Sequence, residues 1–302
     1  MPAKALNSAA ESVVGTAIMR MASAGGLIAS AGIIAPIIPP SIGFVIFGVA
    51  ANVSISKLFM AGIFPGIWLA LSLWVTWWWL VRKETIAPPP RKSLAEVLDA
   101  MRQATWALVL PFIIVFGLKF GVFTPTEAAV VAAVYSLFVS TLVYRELNLK
   151  QLVPLFVSAA TTCAIVMFLV AAAMVSAWLI TVANLPAQVV ALLQPLLDSP
   201  RLLMLAIMVL TMVVGTALDM TPTILLLTPV LMPVVKAAGI DPVYFGVLFI
   251  INNAIGLITP PVGTVLNAVA GVGKLGMDEV TKGVVPFMIA QFVIMFLMVA
   301  FP

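Results

Sequence analysis

Long apolar stretches, punctuated by short clusters of charge, run the length of this chain. Residues 21–56 and 58–81 carry no charge, nor do 103–118 and 128–144. The longest clean run is 151–197, and 242–273 and 283–302 are also uncharged. A membrane-crossing helix needs about 20 consecutive apolar residues. The pattern therefore predicts spans over 58–81, 104–121, 126–144, 152–182, 242–272 and 284–302, with a short helix over 186–197 near the membrane surface. The predicted class is an all-α, polytopic membrane protein.

The charges that interrupt the pattern set its orientation. The loop 82–102 holds Arg82, Lys83, Arg91, Lys92 and Arg102 around the stiff run Pro88-Pro89-Pro90. Basic loops stay in the cytoplasm, so 58–81 runs inward and the spans alternate from there. Arg145 and Lys150 mark a second cytoplasmic loop, and Lys274 and Lys282 a third. Trp74, Trp77, Trp78 and Trp79, just before Arg82, fit an interfacial aromatic belt. Between Ser93 and Met101 apolar Leu94, Val97, Leu98 and Met101 alternate with Glu96, Asp99 and Arg102 at helical spacing. That spacing predicts either a helix lying along the headgroups or a solvated connecting helix.

Two segments break the apolar pattern in the same way. One is Ala35-Pro36-Ile37-Ile38-Pro39-Pro40-Ser41-Ile42-Gly43; the other is Gly256-Leu257-Ile258-Thr259-Pro260-Pro261-Val262-Gly263. Aligning their double prolines gives an offset of 221, which also takes Gly62 to Gly283 and Pro65 to Pro286. Five crossings separate the copies, so they face opposite ways, as in transporters built from inverted repeats. Proline removes an amide donor and clashes with the preceding turn. Each double proline is therefore a helix break or a plain kink. A break at membrane depth is tolerated only inside protein or beside a water-filled cavity.

Between Arg201 and Lys236 the only charge is Asp219. The centre reads Gly215-Thr216-Ala217-Leu218-Asp219-Met220-Thr221-Pro222-Thr223, and Pro222, Pro229 and Pro233 argue against one continuous helix. A re-entrant hairpin turning near Asp219 fits the spacing and the crossing count. An intramembrane carboxylate is costly and marks a functional site by default. Asp219 ahead of Thr221, Pro222 and Thr223 is also a good helix N-cap, and both readings stand. Hydroxyls, loop carbonyls and one carboxylate are hard oxygen donors suited to an alkali cation. Subtracting 221 from Asp219 lands before Met1. The sequence thus leads us to expect that a matching first hairpin lies outside this chain, and that the chain is part of a longer protein.

Composition narrows the function classes. Of 302 residues 63% are hydrophobic and 9% charged, with mean hydropathy +1.22 and net charge +4; soluble domains carry about 25% charge. A soluble enzyme, a disordered tail and a nucleic-acid binder are excluded. With no histidine, imidazole acid–base chemistry and histidine metal ligation are unavailable. The single Cys163, in an apolar run, reads as a small buried helix residue ahead of a reactive thiol. Thr124-Pro125-Thr126-Glu127 reads as a helix start with an acidic first turn, structural in role. No nucleophile–base set emerges, so the chain is not read as an enzyme.

These motifs carry a resemblance. Gly32 to Ser41, Ser56 to Gly66, Gly121 to Ala129, Thr228 to Pro233, Gly239 to Val247 and Gly256 to Gly263 together resemble the large permease subunit of tripartite ATP-independent periplasmic (TRAP) transporters. The sugar-acid, diketogulonate-type members are the most similar. The resemblance implies a segment 1–24 that matches poorly and a partial permease domain over 25–302. Within that domain, 25–81 ends the first repeat, 82–103 is a cytoplasmic loop, 104–200 forms connecting and scaffold spans, and 201–302 is the second repeat.

The family's fold implies an elevator-type bundle of inverted repeats, broken helices and re-entrant hairpins. Its site residues map onto Gly215, Asp219, Thr221 and Thr223 at the hairpin tip. The second broken helix contributes Asn252, Gly256, Thr259, Pro260 and Gly263, and the first Ala35, Pro36, Pro39 and Ser41. The same residues would bind the substrate and the sodium that drives its uptake, with no other cofactor. The implied partners are a small four-helix membrane subunit, a periplasmic substrate-binding protein, a small carboxylate and the lipid bilayer, with no nucleic acid. The implied location is the bacterial inner membrane. Two other readings compete: a stand-alone carboxylate transporter of the same superfamily, and a non-transporting scaffold or truncated inactive fragment.

Overall fold

The computed structural model describes residues 22–82 and 92–302; the N-terminal stretch and the Pro88-Pro89-Pro90 connector lie outside them. Among the described residues the chain is all-helical, with no strand. Helix α1 covers residues 22–32. It is followed by α2 (Ile42–Ala51), α3 (Ile55–Val81), α4 (Leu94–Lys119) and α5 (Pro125–Phe138), which runs into a π-turn over Val139–Val143. Next come α6 (Leu149–Val182), the short α7 (Leu185–Leu192) and α8 (Gln194–Leu197), then α9 (Pro200–Gly215) and α10 (Met220–Ala237). The chain ends with α11 (Pro242–Gly256), α12 (Thr264–Gly273) and α13 (Met277–Ala300). Helices α3, α4, α5 with its π-turn, α6, α10 and α13 are long and apolar enough to cross a membrane.

Local chemistry explains most of the boundaries. The Ser54 hydroxyl accepts from the Lys57 amide at the start of α3. Ser93 and Glu96 form a reciprocal capping box at α4, as Thr124 and Glu127 do at α5, with Pro125 in the first position. The Asp241 carboxylate accepts from the Val243 and Tyr244 amides at α11. Each cap satisfies amides that have no partner inside the helix.

Two expectations are corrected. The amphipathic stretch 93–101 is not a separate surface helix: it is the first turns of α4, which continues without interruption into the apolar span. Its 26 residues rise about 39 Å, so the polar end stands beyond a bilayer core of about 30 Å. As expected, no single helix covers 201–236: α9 ends at Gly215 and α10 begins at Met220. Pro222 sits in the first turn, where no amide bond is owed, and Pro229 and Pro233 are absorbed in the helix interior. Cys163 is exposed on α6, whose apolar window buries nothing inside the protein.

The repeat is visible as architecture. Shifting by 221 takes Ile42–Ala51 to 263–272, against α12 at Thr264–Gly273, and Ile55–Val81 to 276–302, against α13 at Met277–Ala300. Both Pro39–Pro40 and Pro260–Pro261 are cis and lie in the non-helical links. Along α13, a Cβ on Gly26 would meet Gly283, and the Gln291 amide donates to the Ser30 carbonyl, so α1 runs parallel to α13. In contrast the Tyr244 hydroxyl donates to the Met298 carbonyl (2.7 Å) and the Thr259 hydroxyl reaches the Met288 sulfur, so α11 runs antiparallel to α13. Helices α1 and α11 therefore point in opposite directions.

The core gathers on α11. Every residue from Phe245 to Gly256 is buried, the signature of a central helix apolar on all sides. Phe47 of α2 packs on Phe245 and Phe249 with ring centroids 6.0 and 5.9 Å apart. Helices α4 and α5 form an outer arm, tied together where the Tyr135 hydroxyl donates to the Trp106 carbonyl and the Tyr144 hydroxyl to the Gln103 carbonyl. In the Trp cluster, Trp74, Trp78 and Trp79 are exposed, Arg82 lies over the Trp78 ring, and Trp77 stacks on Phe287.

Candidate functional site

Helices α9 and α11 begin side by side, around a cleft lined by Pro200, Arg201, Gly239, Asp241 and Tyr244. They end side by side as well: a Cβ built on Gly256 would sit 2.8 Å from the Gly215 carbonyl oxygen. The missing side chain of Gly256 permits this approach. Helix α13 spans 24 residues, about 36 Å, and α11 spans 15, about 22 Å. The contact between α9 and α11 thus lies partway along a full crossing.

Past Gly215 the chain turns through Thr216, Ala217 and Leu218 to Asp219, and α10 returns. The Thr216 carbonyl accepts from the Val262 amide (3.4 Å), pinning the tip to the link between α11 and α12. Asp219 occupies the N-cap position of α10 with extended backbone (φ −68°, ψ 162°), but its carboxylate does not cap the helix. Instead its Oδ1 accepts from the Thr264 hydroxyl at 3.4 Å, in the first turn of α12. Gly263, at the N-cap of α12, has φ +44° and brings no side chain.

The carboxylate therefore lies between the N-termini of α10 and α12, with the first-turn amides of both left free of side-chain caps. Helix N-termini carry partial positive charge and bind anions; C-termini carry partial negative charge and favour cations. Here the N-termini of α10 and α12 meet around Asp219, while the C-termini of α9 and α11 meet at Gly215 and Gly256. The first broken segment reaches the same place. A Cβ on Gly43 would contact Met220 at 3.3 Å, and one on Gly32 would contact Val265 at 3.6 Å.

The predicted residues divide by what their polar atoms are doing. Gly215, Asp219, Gly256 and Gly263 sit at the convergence, and the half-buried Thr221 lies in the first turn of α10. The Thr223 hydroxyl donates to the Asp219 carbonyl (2.8 Å) and is fully buried, so it closes the first turn of α10. The Thr259 hydroxyl is similarly committed to the Ile255 carbonyl. Pro260 is exposed in the link, as is Ala35 in the first one, and Pro39 is buried. Ser41 donates to the Pro36 carbonyl and accepts from the Phe44 amide, closing the first break and capping α2. Ser41→Ala is expected to cost about 1–2 kcal/mol, read as a lower melting midpoint in detergent. An unchanged midpoint would contradict the capping role.

Asn252 lies one turn before Gly256. Its amide nitrogen donates to the Met208 carbonyl (2.6 Å), while its fully buried Oδ1 has no partner among the described residues. Sequence reasoning missed Thr211, one turn before Gly215 on α9, whose hydroxyl is likewise buried and unpartnered. Thr264 was missed too. In the sequence only its position directly after Gly263, at the start of a half-helix, pointed to it.

Residues 16–302 match the sequence profile of the family described as the tripartite ATP-independent periplasmic transporter, DctM component. The chain is 54% identical to the 2,3-diketo-L-gulonate TRAP transporter large permease protein YiaN of Escherichia coli, over 92% of this chain and 66% of that protein. It is 38% identical to the sialic acid TRAP transporter large permease protein SiaM of Vibrio cholerae, over 92% and 65%. It is 34% identical to the C4-dicarboxylate TRAP transporter large permease protein DctM of Pseudomonas aeruginosa, over 92% and 65%. The chain thus spans slightly less than two thirds of the length of these relatives.

Proposed function

The chain belongs to the DctM component family of tripartite ATP-independent periplasmic transporters, a multi-pass inner-membrane protein, and from that premise we propose that it forms the site-bearing membrane part of a sodium-coupled importer. The substrate is a small organic acid, most readily a sugar acid, by similarity to the diketogulonate permease. A periplasmic binding protein delivers it, and a small four-helix membrane subunit completes the permease.

The observation that carries this reading is the convergence of oppositely signed helix ends at one place. The Gly215–Gly256 crossing brings together carbonyl-rich C-termini suited to a cation, and Asp219 adds the one negative charge nearby. The amide-rich N-termini of α10 and α12 suit a carboxylate. Neutral oxygens and a single carboxylate form a donor set for a hard monovalent cation. The contacts of α9–α10 with the α11–α12 break support a re-entrant hairpin reaching mid-membrane. The opposed directions of α1 and α11 support an inverted-repeat construction and, through it, an elevator movement.

The test is uptake of labelled sugar acids into proteoliposomes holding the permease and its small subunit, with the binding protein outside. Uptake is expected to require both an inward sodium gradient and the binding protein. Uptake that persists without the binding protein would favour a stand-alone carboxylate transporter, and uptake indifferent to sodium would overturn the coupling.

A further inference from the structure

We propose that the cleft between α5 and α6 is a binding site for one anionic phospholipid, a function separate from the transport site. The cleft has a volume of about 380 Å³ and is lined by Val134, Leu137, Leu155, Phe156, Ser136 and Ser140, among others. Its walls are apolar and belong to helices that expose most of their surface, so an acyl chain fits it from the bilayer side.

Two observations distinguish this cleft from an ordinary lipid-facing groove. The first is its hydroxyls. In the neighbouring spans Thr105, Thr141, Thr161, Thr162, Ser176 and Thr181 each donate to the carbonyl four residues earlier. That back-bonding is how a membrane helix satisfies a hydroxyl. Ser136 on α5 and Ser140 in the π-turn that follows it, both lining the cleft, make no such bond and have no side-chain partner among the described residues. They are free to donate to the ester oxygens of a glycerolipid.

The second observation is the mouth. The π-turn at Val139–Val143 ends in Tyr144, whose amide bonds the Val139 carbonyl. The Ser140 carbonyl then accepts from the Glu146 and Leu147 amides, folding the chain back over the cleft. This reversal holds Arg145 in a left-handed conformation (φ 55°), with Lys150 in the first turn of α6. Neither cation forms an ion pair among the described residues, and Glu146 is the one acid in the turn. The positive-inside bias puts this end in the cytoplasm. Basic pockets between spans on that side suit anionic headgroups.

The test is native mass spectrometry of the purified full chain with added phosphatidylglycerol or phosphatidylcholine. The wild type is expected to retain one phosphatidylglycerol in preference to phosphatidylcholine. Arg145→Gln and Lys150→Gln should each weaken that retention roughly fivefold. Ala159→Trp keeps both charges but fills the cleft, and should abolish the preference; a melting curve in phosphatidylcholine checks that each variant is folded. Equal retention of the two lipids, or a preference untouched by Ala159→Trp, would overturn the proposal. So would finding the cleft filled by a partner helix, seen as efficient cross-linking from Ser136→Cys to a co-purified polypeptide.

Discussion

Asp219→Asn is expected to impair sodium-dependent uptake severely while the protein inserts and folds as before. The substitution keeps the shape of the side chain, and asparagine is as good a residue as aspartate at a helix N-cap. What it removes is the one charge between the N-termini of α10 and α12. A hydrogen bond to a charged group contributes about 1.5–3 kcal/mol, so loss of the charge alone should weaken sodium activation roughly tenfold or more. The measurement is initial uptake rate against external sodium in proteoliposomes, with yield and melting midpoint as controls. An unchanged sodium dependence would remove Asp219 from the proposed ion site and leave it a residue of the turn.

The second large effect separates two adjacent glycines. A Cβ on Gly256 would press on the Gly215 backbone at 2.8 Å, whereas a Cβ on Gly215 would meet the Gly256 Cα at an ordinary 3.7 Å. Backbone cannot rotate aside as a side chain can. Gly256→Ala should therefore cost about 1–3 kcal/mol of stability by overpacking and separate α9 from α11 at the site, with loss of most uptake. Gly215→Ala should remain close to wild type in both. Melting in detergent and uptake with the two variants side by side decide the matter. Equal tolerance of both would mean that the two helices do not cross at this distance in the functioning protein.

Much of this site was legible before the fold was known. The double prolines, the lone Asp219 and the glycines flanking it all announce themselves, because breaks and charges are rare inside apolar runs. The capping boxes at Ser93 and Thr124 are equally local. What could not be read was where polar atoms spend their hydrogen bonds. Ser41, Thr223 and Thr259 stand in the motifs, yet each hydroxyl is committed to a nearby carbonyl. Thr211, outside any motif, holds a buried hydroxyl without a partner among the described residues. The Asp219–Thr264 contact joins residues 45 apart, and its geometry comes from tertiary packing. Cys163 shows a different limit: lipid is as apolar as a protein core, so hydrophobicity alone does not say which of the two a residue faces. The start of α4 shows a third, since the change from amphipathic to wholly apolar pattern is not a change of helix.

Helix α6 carries a mechanical consequence. Its 34 residues extend about 51 Å, well beyond a hydrocarbon core of about 30 Å. Such a mismatch is relieved by tilting or kinking the helix or by locally thickening the lipid around it. Helix α6 packs against α10 and α7, and α10 begins at Asp219. The length of α6 is thus accommodated against the same arm that presents the carboxylate.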